Sequence, residues 1–452
     1  MGGLTRFYFE QKTDRDRRGL ISSTFLILGA LAWLVCGLGY AWRYPLADIV
    51  YGNGGAAGSG AAQVDLLVLS LLIIPLSMTA RMAVDYLVIL QRPVATTTLR
   101  LGKSFGVIGL NIFFVLGLGL GAWGYLLGIL IGEAAVTLGF LLYIVRRIGL
   151  SFRWGLFRPM LLFSLPLLPM GLLQMGLHQA DRFLIKELIP AGLVPVELQS
   201  GETYTLVAVG IYSLGYKIGS MIHVAALGSF IQVWQPWLFS MQESPERRVM
   251  MVRVGTYALA ALAAIYLPVA VAGRQIVEVL DGSGRFEVAA RIAPWATFAY
   301  LFYGAYAISQ TALLLAKRSM DLMWVSAAAL VVNLAANFVL IPRLGLEGAV
   351  YATVVSFLVM AALGSLAAAR VVGLCFDLRK GCELLLLGFL AVLAARWIDD
   401  MQASKQLSDA LPAIGSKVLI ILVVLAFIWR RSVDADGRAA LADIVRKRLG
   451  KA

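Results

Sequence analysis

Six ionisable side chains lie within or at the rims of long apolar runs: the cations Arg81, Arg182 and Lys217, and the carboxylates Asp85, Glu133 and Asp181. A charge at hydrocarbon depth is costly, so such a residue pairs with another, faces a wet interior or has a task. The two sets suit two tasks. A guanidinium offers paired N–H donors to phosphate and a lysine ammonium a compact charge, so the cations are candidates for holding an anionic substrate. A carboxylate in a partly desolvated place changes charge with its surroundings, so the acids are candidates for coupling to a proton or sodium. Arg81 and Asp85 are four residues apart, on one helical face, and can pair. Glu133 and Lys217 fall near the middle of their runs, and Asp181-Arg182 toward the outer end of another.

Each candidate has a plainer reading. Arg81 and Asp85 can be a neutralised structural pair, Glu133 a polar contact between helices, and Asp181-Arg182 an interfacial pair. Lys217 has no partner within one helical turn, which favours a wet cavity. His178, His223 and Gln310 fit interhelical hydrogen bonds better than ligand contacts.

The elements that position these residues follow from composition. The chain has 452 residues, 60% of them apolar and 14% charged, against about 25% charged in a soluble domain. Its mean hydropathy is +0.82. These values exclude a soluble domain, a disordered chain and a nucleic-acid-binding module. Apolar runs of about 20 residues, the length of a bilayer-spanning helix, fall at 19–42, 65–89, 104–120, 123–145, 160–180, 206–230, 250–272, 292–316, 322–341, 346–370, 381–397 and 414–430. The fifth can equally continue through Asp181-Arg182 to Leu188. The expected fold class is therefore all-α: a polytopic transmembrane helix bundle of about twelve spans. With both termini on one side, 27 of the 39 Lys and Arg residues flank that side, which places both termini in the cytoplasm. The net charge of +13 then reflects topology, and Arg446-Lys447-Arg448 reads as a basic tail on anionic lipid. Residues 1–18 are charged and the first apolar run is too long for the core of a cleavable signal peptide.

Enzymatic classes are disfavoured. The longest loops, 43–64 and 181–205, are too short for a catalytic domain. Two histidines and Cys36, Cys375 and Cys382 make neither a metal set nor a disulfide framework, and no phosphate-binding glycine loop is present. Catalytic residue, cofactor and metal are all expected to be none.

The chain repeats itself. Shifted by 230, Asp16-Arg17-Arg18 meets Glu246-Arg247-Arg248, and Ile49-Val50-Tyr51-Gly52 meets Val279-Leu280-Asp281-Gly282. Shifted by 224, Leu120-Gly121 and Gly124 meet Leu344-Gly345 and Gly348. Spans one to four thus match spans seven to ten in order, as a parallel repeat. Two spans precede the second copy and none precedes the first, so the first lobe is expected to lack its first two helices, with Met1 as a truncated start. The expected division is a four-span lobe over 1–150, a six-span lobe over 151–375, and two further spans with a basic tail over 376–452.

Several motifs resemble the polysaccharide-exporter branch of the multidrug/oligosaccharidyl-lipid/polysaccharide exporter superfamily (Wzx-type, MATE-like). They are Arg6-Phe7-Tyr8-Phe9-Glu10, Phe163-Ser164-Leu165-Pro166 with Pro169, Asp181-Arg182-Phe183, the block from Val209 to Lys217, and the turn from Asn333 through Asn337, Pro342 and Gly345 to Gly348. The resemblance covers essentially the whole chain and departs from the family at the two absent helices. It implies a flippase for an oligosaccharide repeat unit on undecaprenyl pyrophosphate, working by alternating access in the bacterial inner membrane for O-antigen (lipopolysaccharide) or other polysaccharide biosynthesis. The implied partners are the lipid-linked oligosaccharide, membrane lipids and polysaccharide polymerase or assembly proteins. On that reading Arg81, Arg182 and Lys217 hold pyrophosphate or sugar acids, and Asp85, Glu133 and Asp181 are the ion-coupling candidates. The alternatives are a cation-coupled small-molecule exporter and a non-transporting member of an assembly complex.

Overall fold

The computed structural model describes residues 2–51, 60–193, 204–241, 246–280, 287–402 and 410–432. Met1, most of the Gly/Ala-rich loop after Tyr51, Asp281-Gly282 and the basic stretch 446–448 lie outside the described residues. The described regular structure is entirely helical. Hydrocarbon leaves the backbone no outside partner, so each apolar run closes its own hydrogen bonds as a helix.

The chain divides into two compact units, 1–164 with 235–240, and 165–234 with 241–452. The first contains α1 (Gly2–Glu10), α2 (Asp14–Ala41), α3 (Arg43–Tyr51), α4 (Gly60–Ile89), α5 (Pro93–Asn111), α6 (Gly121–Tyr143) and α7 (Trp154–Ser164). Thr13 caps α2, its hydroxyl accepting the Asp16 N–H at 3.2 Å, which supplies a partner to an otherwise orphaned donor. Phe25, Met82, Ala83, Phe140 and Ile144 form the core between α2, α4 and α6. The Thr137 hydroxyl donates to the Leu76 carbonyl at 2.8 Å and fixes the register of α6 on α4. Beyond α5 a π-helical turn (Ile112–Gly117) follows, and Phe105, Ile108, Phe113 and Leu116 all point outward.

The second unit contains α8 (Leu167–Leu188), α9 (Tyr204–Ile222), most of α10 (Gly228–Ser240), α11 (Arg247–Val271), α12 (Gly273–Leu280), α13 (Glu287–Leu315), α14 (Ser319–Val371), α15 (Leu378–Gln402) and α16 (Ala410–Ser432). Helix α13 is almost wholly buried, packed by α9, α11 and α14. Helix α14 is two arms joined at Gly345, where φ is +60° and ψ −134°, a conformation only glycine adopts at low cost. Gly121, its mate under the 224 shift, also has positive φ, +52°. Three residues on, a Cβ at Gly124 would stand 2.9 Å from the Phe114 carbonyl oxygen, and one at Gly348 would run into the Leu340 backbone. The two corners of the repeat are therefore built alike.

Nine helical segments among the described residues are long and apolar enough to cross a membrane. One of them, α14, holds two of the twelve expected runs, and α9 and α16 cover two more. One boundary needs correction, and two open ones are settled. The third run begins at Val94 rather than at 104, because Lys103, read from sequence as a flanking cation, sits inside α5 and pairs with Glu133. The fifth takes the longer of its two expected ends, Leu188, because the charge of Asp181 is met by neighbouring helices. The ninth and tenth runs are the two arms of α14, separated at the Gly345 corner as expected. Proline breaks the helix ahead of α8: α7 ends at Ser164, Pro166 sits at the N-cap position of α8, and there the chain passes from the first unit to the second.

Candidate functional site

Helix α8 carries a polar stripe at Gln174, His178 and Asp181, spaced by four and three residues, so all three share one face. That face packs against α9 and α14 and touches α13 through Tyr300 and Tyr306. Helix α9 is drawn close to α13 by Gly215 and Gly219. A Cβ at Gly215 would lie 2.8 Å from the Ala289 carbonyl oxygen, and one at Gly219 would lie 2.6 Å from the Ala296 Cβ. Small residues four apart permit such an approach. The close contact seats Tyr212 and Tyr216, each within one turn of those glycines.

Asp181 is completely buried. Its Oδ2 accepts the Tyr212 hydroxyl at 2.5 Å and the Thr353 hydroxyl at 2.6 Å. Its Oδ1 accepts the Asn337 amide at 2.8 Å and the Asn333 amide at 3.3 Å. All four donors are neutral. They come from α9 and from both arms of α14, so the carboxylate joins three helices. Asn337 also donates to the Asn333 oxygen at 3.1 Å, and Asn333 to the Ser356 hydroxyl at 3.4 Å. The Asn337 carbonyl oxygen is buried with no hydrogen-bond partner. A buried charge normally carries a counter-charge. Here two amide N–H groups and two hydroxyls surround a carboxylate that can take a proton, and the two hydroxyl oxygens with the unpartnered Asn337 side-chain oxygen are the hard donors that a cation beside it would use.

Arg182, the next residue, points elsewhere. It donates to the Ser213 hydroxyl at 3.2 Å, the His178 carbonyl at 2.8 Å and the Gln179 side-chain oxygen at 3.0 Å, and lies 5.1 Å over the Tyr216 ring. Its partners among the described residues are all neutral. Lys217 is exposed on α9 and makes no ion pair among the described residues.

The other three candidates lie in the first unit. Arg81 and Asp85 do pair, at 3.3 Å, with the arginine 68% exposed and the carboxylate 12%. Glu133 pairs with Lys103 at 2.7 Å, and its second carboxylate oxygen is buried without a partner. Lys103 also lines a 550 Å³ cleft between α4, α5 and α6, together with Arg92, Tyr86 and Tyr143. Of the six candidates the structure thus pairs only Arg81 with Asp85; Glu133 pairs with Lys103 instead, Asp181 and Arg182 are neighbours that bond to different groups, and Lys217 stands apart.

Sequence reasoning missed the donors that define the nest: Tyr212, Asn333, Asn337 and Thr353. The signal was present at Asn333 and Asn337, two carboxamides four apart on one face of an apolar helix. It also missed Lys103 as the partner of Glu133.

No family model matches the chain, and no curated protein sequence matches it. Solved structures do. A point mutant of the Vibrio cholerae MATE transporter VcmN superposes with a TM-score of 0.63 at 16% identity, over 81% of this chain and 84% of that one. The lipid II flippase MurJ in an inward closed conformation gives 0.56 at 13% identity, over 95% and 90%. An outward-facing multidrug resistance MATE family transporter of the MOP superfamily gives 0.61 at 12% identity, over 82% and 84%. At these identities the likeness is one of fold: the chain has the MATE-like helical fold that these exporters share with a lipid-linked-substrate flippase.

Proposed function

We propose that the chain is a cation-coupled flippase that moves a lipid-linked oligosaccharide, on undecaprenyl pyrophosphate, across the bacterial inner membrane for polysaccharide or O-antigen biosynthesis, with both termini cytoplasmic. The observation that carries the coupling is the nest around Asp181: a fully buried carboxylate whose hydrogen-bond partners are all neutral. Such a group gains most from taking a cation or a proton, and its three helices repack when it does. Asp85 and Glu133 already hold Arg81 and Lys103, which suits them less to coupling. Arg182, next to Asp181 in the chain, and Lys217, exposed on α9, have no carboxylate partners among the described residues, and Arg81 is mostly exposed; these three suit the pyrophosphate or sugar acids. The proposed lobes are 1–150 and 151–375, with 376–452 appended, and polysaccharide polymerase or assembly proteins are the proposed partners.

The lipid-linked substrate is supported by the motifs of the exporter branch and by the lipid II flippase, which superposes on 95% of the chain. The rival reading, a cation-coupled small-molecule exporter, is favoured by the higher TM-scores of the MATE transporters, 0.63 and 0.61. Deleting the gene in its host and scoring surface polysaccharide separates the two. Loss of polysaccharide, restored by the wild-type gene but not by Asp181→Asn, supports the flippase. Intact polysaccharide in a strain without a redundant flippase, together with new sensitivity to small toxic cations, favours the exporter.

A further inference from the structure

The chain has two histidines, and both lie in one cluster. His178 is on α8, and His223 opens the π-helical turn after α9. Their rings are 6.5 Å apart. The Tyr300 ring stacks on both, at 6.2 Å and 5.4 Å, and Tyr303 meets both edge to face, at 5.6 Å and 5.0 Å. Phe357 closes the cluster at 5.5 Å from His178. The His223 Nδ1 is buried with no hydrogen-bond partner among the described residues.

The hydrogen bonds have a direction. Tyr300 donates its hydroxyl to the Tyr216 oxygen at 3.2 Å, and the Tyr216 oxygen lies 3.1 Å from His178 Nδ1. Tyr216 has one proton, and with Tyr300 donating to it that proton points to Nδ1. His178 is then a neutral acceptor protonated at Nε2. A proton added at Nδ1 reverses the chain: Nδ1–H donates to the Tyr216 oxygen, and the Tyr216 hydroxyl turns toward Tyr300. The two states differ by one proton and two hydroxyl rotations, with no heavy atom displaced. The face of Tyr300, stacked on both rings, favours an imidazolium. Two imidazoliums at the spacing of these rings would repel, so the pair takes a single proton.

The cluster abuts the carboxylate nest. His178 is one turn before Asp181 on α8, and Tyr216 one turn after Tyr212 on α9, with the two tyrosine rings 5.8 Å apart. The groups facing His178 are Asp181 and Arg182 on its own helix, Tyr216 from α9, His223 from the π turn, Tyr300 and Tyr303 from α13, and Phe357 from α14. Among them the one anionic group is Asp181. Arg182 is a fixed positive charge, which leaves Asp181 as the variable.

We propose that His178 and His223 form a one-proton binding site that opposes cation binding at Asp181. This rests on Asp181 being the coupling carboxylate. A proton on the pair repels a cation in the nest, and a cation in the nest repels the proton, each weakening the other by the same factor. Two like charges about a helical turn apart inside a protein give an effect on the order of tenfold.

Because the chain has only two imidazoles, ¹⁵N-histidine labelling of the full chain in lipid nanodiscs reads the site directly by NMR. Between about pH 5 and 8 the two rings are expected to take up one proton in total. Replacing choline chloride with sodium chloride is expected to move the midpoint down by about one pH unit, the tenfold effect just given. Asp181→Asn is expected to lower the midpoint in choline and to abolish the sodium shift. The proposal is overturned if both rings stay neutral throughout, if each takes a proton independently, or if neither sodium nor Asp181→Asn moves the midpoint. If Asp181→Asn moves it but sodium, lithium and potassium do not, the proton site stands and cation binding at Asp181 fails. The wild-type titration decides the first two outcomes even if the variant does not fold.

Discussion

The two units handle buried carboxylates in opposite ways. In the first, Glu133 meets Lys103 at 2.7 Å and Asp85 meets Arg81 at 3.3 Å, so each negative charge is cancelled by the fold. In the second, Asp181 meets four neutral donors and is completely buried. The repeat makes the contrast sharper. Under the 224 shift Asn333, Asn337 and Thr353 correspond to Gly109, Phe113 and Ile129, so the first unit shares the helical corner but none of the donors. A paired carboxylate holds helices together in one arrangement. An unpaired one in a net of hydroxyls and amides has a reason to change its occupant, which is why the proposed coupling is placed there.

The largest expected effect falls on Asp181. Asp181→Asn should cut flipping by at least about tenfold, a loss of about 1.4 kcal/mol, whereas neutralising both members of a pair, Lys103→Met with Glu133→Gln, should leave it within about threefold, under about 0.7 kcal/mol. Equal losses would erase the distinction between the units. Next in size is Lys103→Met, which strands Glu133. Breaking a buried pair costs about 3–5 kcal/mol; with Lys103 30% exposed we expect about 2 kcal/mol, read as a lower Tm in detergent and largely recovered by adding Glu133→Gln. Failure of the second change to rescue would show that the pair is not what Glu133 needs. Gly345→Ala and Gly121→Ala should each cost about 1–2 kcal/mol, and similar losses at both would confirm that the corners are equivalent. The smallest effect on stability is expected from Arg81→Ala and Lys217→Ala, within about 1 kcal/mol, with export nevertheless reduced and expression unchanged. Normal export in both variants would remove them from the substrate path.

Much of this arrangement was legible from residue types. Apolar run length marks the helices, and positive-φ glycines at matched positions bear out the parallel repeat. The proline break before α8 falls where Pro166 and Pro169 stand. The nest was legible only in part. Asp181 stands out as a charge in an apolar run, but the rule that finds it says nothing of Tyr212 or Thr353, which look like ordinary helix residues until α9 and α14 pack against α8. Lys103 misled the reading for a physical reason: a lysine marks a span end only when it has no partner at depth, and Glu133 is 30 residues further along the chain. His178 and His223, set down as interhelical contacts, lie 45 residues apart in sequence and meet only because Tyr300 and Tyr303 bring α13 between them.

The most direct test of Asp181 as the coupling group is reconstitution of the full chain in liposomes loaded with a fluorescent undecaprenyl-pyrophosphate oligosaccharide, following its exposure to an external quencher with and without an imposed sodium or proton gradient. The account predicts gradient-dependent flipping by the wild type, and gradient-independent, strongly reduced flipping by Asp181→Asn. Equal gradient dependence in the two proteins would contradict it.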